Sequence, residues 1–201
     1  MKTIILAGGK SSRMGQNKAL LPIGGKSIIK RLAETFKPIS DEIIIISNEP
    51  EKYNGLDFSI YSDVKEFRGD GPLAGIYTGM NAANEDCCLF LACDMPFASQ
   101  KIGKFMMETL KNSGADAVIP LHEGRVHPLF GTYHKRILPV VKENLLNGKR
   151  KMLHLLNGVN AKIIEKLDAP KELKKEWEYS FWNMNTMEDY QKALELYKKL
   201  S

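Results

Sequence analysis

The chain has little of what would tie it to a membrane, to an oxidising compartment or to nucleic acid. Nowhere in its 201 residues does an apolar run approach the ~20 residues that span a bilayer. Met1-Lys2-Thr3 leads into a short strand-like run and then glycines rather than a secretory leader, so a cytoplasmic protein is expected. Cysteine is scarce. Cys87, Cys88 and Cys93 lie too close together for a disulfide framework and lack the C-x-x-C spacing of a metal pair, so buried free thiols are expected. His122, His134 and His154 show no metal-like spacing, and no Ser/His/Asp or Cys/His catalytic set stands out. The net charge of +5 suits anionic ligands. The runs Lys149-Arg150-Lys151, Lys174-Lys175 and Lys198-Lys199 are short and carry no aromatic RNA-binding signature, which argues against nucleic acid. There is no internal repeat, low-complexity tract or linker.

The two commonest phosphate loops are also missing. Gly25-Lys26-Ser27 has the ending of a P-loop, but Leu20 stands where its first glycine must be. No glycine follows Gly8 or Gly9 at the offsets of the dinucleotide fingerprint. What the chain does have is a different glycine-rich segment, directly after the apolar run Thr3–Leu6. Gly8, Gly9 and Gly15 let backbone N–H groups approach a phosphate, because no Cβ intervenes. Arg13 and Lys18 can neutralise what those groups cradle. A strand entering such a loop is how α/β folds hold a nucleotide triphosphate.

Apolar strands alternate with helical patterns, which predicts an α/β fold with a mostly parallel central sheet flanked by helices. The expected strands are Thr3–Leu6, Glu42–Ser47, Phe58–Tyr61, Cys87–Ala92, Ala117–Pro120, Val126–Tyr133 and Ala161–Glu165. The expected helices are Ser27–Phe36, Leu73–Ala83 opened by Pro72, Ser99–Asn112, Lys135–Leu146, Arg150–Leu156, Ala169–Trp177 and Thr186–Leu200. In the last, Thr186 is the N-cap with Asp189 three residues on. The four isoleucines Ile43–Ile46 read as a strand buried on both faces. The length predicts a single domain over residues 1–201.

Polar or glycine-rich motifs follow each apolar strand, and ligands of open α/β sheets bind beyond the carboxyl ends of the strands. Ser47-Asn48, Ser62-Asp63 and Cys93-Asp94-Met95-Pro96 would share a cleft with the glycine-rich loop. Asp94, directly after a buried strand, is the best metal-ligand candidate, because Mg²⁺ takes one or two carboxylates plus phosphate oxygens and water. The second glycine cluster, Gly69 to Gly75, precedes a helix whose N-terminus could receive a ribose or phosphate. Arg125 and His127 are expected on the same side of one strand, where they could hold a second anionic substrate. Asn183 and Asn185, two residues apart on an extended segment, face one way.

Together these residues resemble the molybdenum cofactor guanylyltransferases, the MobA family of nucleotidyltransferases with a single Rossmann-like domain. The resemblance rests on Leu6 to Leu21, then Gly71-Pro72-Leu73-Ala74-Gly75, Cys93-Asp94-Met95-Pro96-Phe97, Arg125-x-His127-Pro128-Leu129 and Asn183-Met184-Asn185-Thr186, in that order. It covers nearly the whole chain. It implies transfer of GMP from GTP to the phosphate of molybdenum-molybdopterin, with pyrophosphate released and a guanine dinucleotide cofactor formed. The N-terminal part would bind nucleotide and the C-terminal part the acceptor.

The resemblance places Leu6, Ala7 and Gly8 near the base, with Gly9 in the same loop and Asn48 as a looser match. Lys18 falls at the phosphates, Asp63 and Gly75 near the ribose, and Asp94 on Mg²⁺. Arg13 and Lys18 would stabilise departing pyrophosphate. Arg125, His127, Asn183 and Asn185 would face the pterin. Sister cytidylyltransferases tend to carry alanine at the position of Gly8, which points to GTP. Met187 departs from the family's usual proline, loosening the start of the last helix. Molybdoenzymes or other cofactor-biosynthesis proteins are the further partners implied. The alternatives are a nucleotidyltransferase using CTP or a sugar phosphate, and a non-catalytic GTP-binding protein of the same fold.

Overall fold

The computed structural model describes residues 1–8 and 17–200. β1 (Lys2–Leu6) is followed by a small antiparallel hairpin, β2 (Pro22–Ile23) and β3 (Lys26–Ser27). Then come α1 (Ile28–Phe36), β4 (Glu42–Ile46), β5 (Ser59–Tyr61), α2 (Pro72–Ala83), β6 (Cys87–Ala92) and α3 (Gln100–Ser113). The second half adds β7 (Ala117–His122), β8 (Arg125–Val126), β9 (Phe130–His134), α4 (Leu138–Leu146), α5 (Met152–Asn157), β10 (Ala161–Ile164), α6 (Lys174–Ser180) and α7 (Met187–Leu200).

The main sheet runs β10-β7-β9-β6-β1-β4-β5, with β8 folded back on β7. β9 is antiparallel to both β6 and β7, while β1, β4, β5 and β6 are mutually parallel. This is the expected α/β architecture, and the isoleucine strand explains its layers. Ile43 and Ile45 pack on one face with α1, α3, α6 and α7. Ile44 and Ile46 pack on the other with α2, α4 and α5. Successive side chains of a strand point to opposite faces, so a run of four buries both. α2 lies close enough to the sheet that a Cβ on Gly79 would stand 2.7 Å from Ile4 Cγ2 and 3.1 Å from Phe90 Cε1. That close approach brings the N-terminus of α2 to the end of β1. No helix among the described residues is long and apolar enough to cross a membrane.

Three expectations need correction, and one further element appears. Val126–Tyr133 is not one strand: β8 closes a hairpin on β7 through Glu123 (φ +49°) and Gly124 (φ +72°), and β9 begins only at Phe130. Pro128 has no N–H to give a ladder, and it sits in the break between β8 and β9, both of which pair with β7. Lys135–Leu146 opens with a 3₁₀ turn, Lys135–Ile137, before α4. The helix expected at Ala169–Trp177 is displaced: Pro170 caps a 3₁₀ turn, Lys171–Leu173, and α6 runs on to Ser180. The hairpin β2-β3 was not foreseen. Its turn uses Gly24 (φ +60°) and Gly25 (φ +77°), and two consecutive positive φ angles are the two-residue hairpin requirement that Gly-Gly meets at no steric cost.

Candidate active site

A cleft of ≈ 760 Å³ opens over the carboxyl ends of the parallel strands. β1 and its exit supply Leu6, Ala7 and Gly8, and β4 and its exit supply Ile46, Ser47 and Asn48. Asp63 comes from beyond β5, Gly71, Pro72 and Gly75 from around the start of α2, and Ala92, Cys93 and Asp94 from β6 and its exit. The strand order, unreadable in the sequence, places β6, β1, β4 and β5 side by side, so their exits share one rim. Gly9 and Arg13 lie outside the described residues.

Lys18 and Asp94 meet at the cleft. Asn17 N-caps a 3₁₀ turn, Lys18–Leu20, its Oδ1 accepting from Ala19 N at 3.0 Å. From that turn Lys18 Nζ donates to Asp94 Oδ2 at 3.1 Å and to Asn185 Oδ1 at 3.4 Å. The lysine and the aspartate are 76 positions apart in the chain. Asp94 is braced from behind as well, its carbonyl accepting from Met184 N at 2.8 Å. Its other carboxylate oxygen, Oδ1, is buried, and no donor among the described residues reaches it. A carboxylate with one oxygen paired to a lysine and the other free fits the mode in which Mg²⁺ is held by one protein oxygen, phosphates and water. Among the described residues no cluster of three or more His, Cys, Asp or Glu side chains gathers, so an ion at Asp94 would take its remaining ligands from elsewhere. Burial pushes the neighbouring Cys93 thiol up to about 12, which keeps it protonated and inert in the cleft wall.

Asn48 and Asp63 form a reciprocal pair on the opposite wall. Asn48 Nδ2 donates to Asp63 Oδ2 at 2.6 Å, and Asp63 N donates to Asn48 Oδ1 at 3.1 Å. Gly69 N adds a 3.3 Å bond to the same carboxylate oxygen, which pins the second glycine cluster to this wall. A Cβ on Gly75 would meet Leu6 Cδ2 at 2.9 Å, so its absence lets α2 start against the end of β1. A Cβ on Gly8 would meet nothing within 4 Å.

The residues expected to face an acceptor are less gathered. Arg125 and His127 do not share a strand: Arg125 is exposed at the tip of β8, and His127 lies beyond its end. His127 N donates to Pro120 O, and the imidazole stacks on Phe181 with centroids 5.1 Å apart. Burial, first, and the nearby His122 lower its proton affinity. Asn183 Nδ2 donates to Phe181 O at 3.0 Å, whereas Asn185 reaches Lys18. The two amides therefore serve different neighbours. α7 starts as expected: Thr186 Oγ1 accepts from Asp189 N, and the Asp189 carboxylate accepts from Asn185 N and Thr186 N. This box holds the helix start despite Met187. None of Arg125, His127, Asn183 and Asn185 lines the cleft, which on this side ends at Leu129.

Asn17, Glu49, Lys52 and Leu129 line the cleft without having been singled out in the sequence. Asn17 carried a readable signal as a capping residue before Lys18-Ala19-Leu20. Leu129 belongs to the motif Arg125-x-His127-Pro128-Leu129, but its place in the cleft was not expected, because it precedes its strand instead of following it.

Residues 3–163 match the model of the MobA-like NTP transferase domain. The chain is 40% identical over 193 residues to a probable molybdenum cofactor guanylyltransferase of Carboxydothermus hydrogenoformans, covering 96% of this chain and 94% of that one. A relative with the same description in Natranaerobius thermophilus is 36% identical, with the same two coverages. Among solved structures, molybdopterin-guanine dinucleotide biosynthesis protein A of Archaeoglobus fulgidus superposes with a TM-score of 0.85 at 25% identity, covering 99% of this chain and 100% of that chain. With its cleft at the expected strand ends and these matches over almost all its length, the chain belongs to the MobA-like NTP transferase family.

Proposed function

We propose that this protein transfers GMP from GTP to the phosphate of molybdenum-molybdopterin, releasing pyrophosphate and forming molybdopterin guanine dinucleotide. The observation that carries this reading is the meeting of Lys18 with Asp94 at 3.1 Å, while Asp94 Oδ1 is buried beside the cleft with no hydrogen-bond partner among the described residues. Such a constellation suits a polyanion and its counter-ion. The names of the relatives supply the identity of the two substrates.

A phosphate oxygen of the acceptor attacks the α-phosphorus of GTP. The new P–O bond forms as the bond to the pyrophosphate oxygen breaks, and the electron pair leaves with pyrophosphate. The attacking phosphate is already ionised near neutral pH, so no general base is needed, and the site offers positioning and charge neutralisation instead. Lys18, aimed by the Asn17-capped turn, balances the triphosphate charge. The backbone at Ala7 and Gly8 forms the floor beneath the nucleotide. Asn48 and Asp63, locked to each other, form the wall on the ribose and base side. Asp94 would hold a magnesium ion, which when bound neutralises and orients phosphate oxygens. Arg125, His127, Asn183 and Asn185 are assigned to the acceptor, reached from the Leu129 end of the cleft. The setting is cytoplasmic.

Pyrophosphate release, followed with each nucleoside triphosphate in the presence of magnesium and molybdenum-molybdopterin, tests the assignment. GTP alone should support turnover. Equal use of CTP would overturn the guanine assignment, and no release with any triphosphate would overturn the activity.

A further inference from the structure

Tyr53 has a hydroxyl with no part in the mechanism above, yet it stands between two pieces of the nucleotide site. The side chain is 1% exposed and ends the 3₁₀ turn Pro50–Tyr53 that follows β4. Its hydroxyl lies 3.2 Å from the carbonyl oxygen of Ala7 and 3.0 Å from Asn17 Nδ2.

The hydrogen-bond polarity of this link is forced. Asn17 Oδ1 is committed to accepting from Ala19 N, so the other end of the amide is the NH₂ and must donate to the tyrosine oxygen. The tyrosine proton then points to Ala7 O, which can only accept. Burial raises the affinity of the phenol for its proton, so the donor stays in place through the whole neutral and mildly alkaline range.

The consequence is geometric. Ala7 sits at the exit of β1, directly before the glycine-rich segment, and Asn17 caps the turn that carries Lys18 directly after it. We propose that Tyr53 is a positioning residue for triphosphate binding, its hydroxyl tying Ala7 at the exit of β1 to the Asn17-capped turn and so aiming Lys18 at Asp94. The role rests on the reading of the cleft as a GTP site. It predicts a selective defect: contacts to the phosphates weaken and contacts to the nucleoside do not.

Tyr53→Phe keeps the ring and its packing and removes only the bridging oxygen. Its melting temperature should fall by no more than about 4 °C, the scale of one lost hydrogen bond in a chain of this size. With magnesium present, the dissociation constant for GTP and the inhibition constant for inorganic pyrophosphate should each rise about tenfold. The inhibition constant for guanosine should stay within about twofold, a split that a general loosening of the fold would not produce. Asn17→Ala breaks the same link from a half-exposed position and should reproduce the selective loss. Asn17→Ala also removes the cap on Ala19 N, so its loss can exceed that of Tyr53→Phe, but the double variant should be no worse than Asn17→Ala alone, within about twofold, because the link to Tyr53 is already cut.

A wild type that takes up neither GTP nor pyrophosphate overturns the functional reading and this role together. A wild type that binds GTP, with Tyr53→Phe equal to it on every ligand, overturns the role of Tyr53 alone. Equal losses for guanosine and pyrophosphate reduce Tyr53 to a packing residue, and additive losses in the double variant separate it from Asn17.

Discussion

Four parallel strands, β6, β1, β4 and β5, end on one rim of the sheet, whereas the neighbouring β9 runs the other way and brings its beginning to that rim. On the parallel side, whatever follows a strand in sequence reaches the cleft: Gly8, Asn48, Asp63 and Asp94 all do. On the β9 side, what precedes the strand reaches it. Leu129, directly before Phe130, lines the cleft and its carbonyl accepts from Ala92 N at 2.7 Å. The two regions also hold their polar groups differently. The parallel side, proposed to receive the nucleotide, is laced by hydrogen bonds between loops, such as Asn48 with Asp63 and Lys18 with Asp94. The β9 side, proposed to receive the acceptor, is held by tilted ring contacts, with His127 and His122 against Phe181. A laced site is organised before its ligand arrives.

The contrast is tested most severely at Asp94. Asp94→Ala removes the free oxygen and the Lys18 partner but keeps the main-chain bond to Met184 N. Turnover should fall at least about a hundredfold, with the melting transition retained. Pyrophosphate release and a thermal melt on the same sample decide it. Undiminished turnover would remove the carboxylate from the chemistry and leave the nucleotide side no better defined than the acceptor side.

A smaller effect separates site from scaffold on a single helix. Gly75 and Gly79 lie one turn apart on α2. A methyl at Gly79 would meet Ile4 Cγ2 at 2.7 Å, inside the core, where overpacking costs about 1–3 kcal/mol. A methyl at Gly75 meets first the far end of Leu6, a side chain that lines the cleft and has room to move into it. Gly79→Ala should therefore lower the melting temperature by several degrees and leave the KM for GTP within about twofold. Gly75→Ala should do the reverse, with a KM for GTP raised about fivefold and a smaller stability loss, because Leu6 can yield into the cleft whereas the gain of about 1 kcal/mol from alanine in a helix is common to both variants. Indistinguishable behaviour would mean that Leu6 does not transmit the change.

The same contrast explains what could be read from the sequence. The isoleucine strand, Pro72 at the start of α2 and the carboxylate after β6 are local signals, each legible from a few neighbouring residues. In a parallel sheet, local signals suffice to place residues on one rim, because all the strands point the same way. The split of Val126–Tyr133 depended on the break after β8, beyond which β9 pairs with β6 as well as with β7, a choice made by the whole sheet. The bond between Asn17 and Tyr53 joins residues 36 positions apart, and neither residue type announces it. The different neighbours of Asn183 and Asn185 follow from where Phe181 and Lys18 happen to lie, which two-residue spacing does not encode.

The smallest expected effect lies at His127 and reads the acceptor side through pH. The imidazole is pressed on Phe181 and stands 6.3 Å from His122, centroid to centroid. Burial is the largest cause lowering its proton affinity below the usual 6.5, the charges of His122 and Arg125 act the same way, and Glu123 and the His122 backbone oppose them. In the unfolded chain the ring titrates near its ordinary value. As pH falls below 6.5, the unfolded chain therefore takes up this proton before the folded chain does, so stability declines with acidification and levels off once the folded ring is also protonated. The depressed carboxylates Glu34, Glu42 and Glu178 have an unfolded value of 4.5 and Asp41 and Asp189 one of 3.8, so their losses begin at lower pH. Melting temperatures taken from about pH 7 to about pH 5 should accordingly fall more steeply for the wild type than for His127→Gln, which has no proton to gain there. Asp94→Ala should keep the wild-type slope, since the change lies on the laced side. If His127→Gln melts in parallel with the wild type across that range, the stacked imidazole is not what acid destabilises.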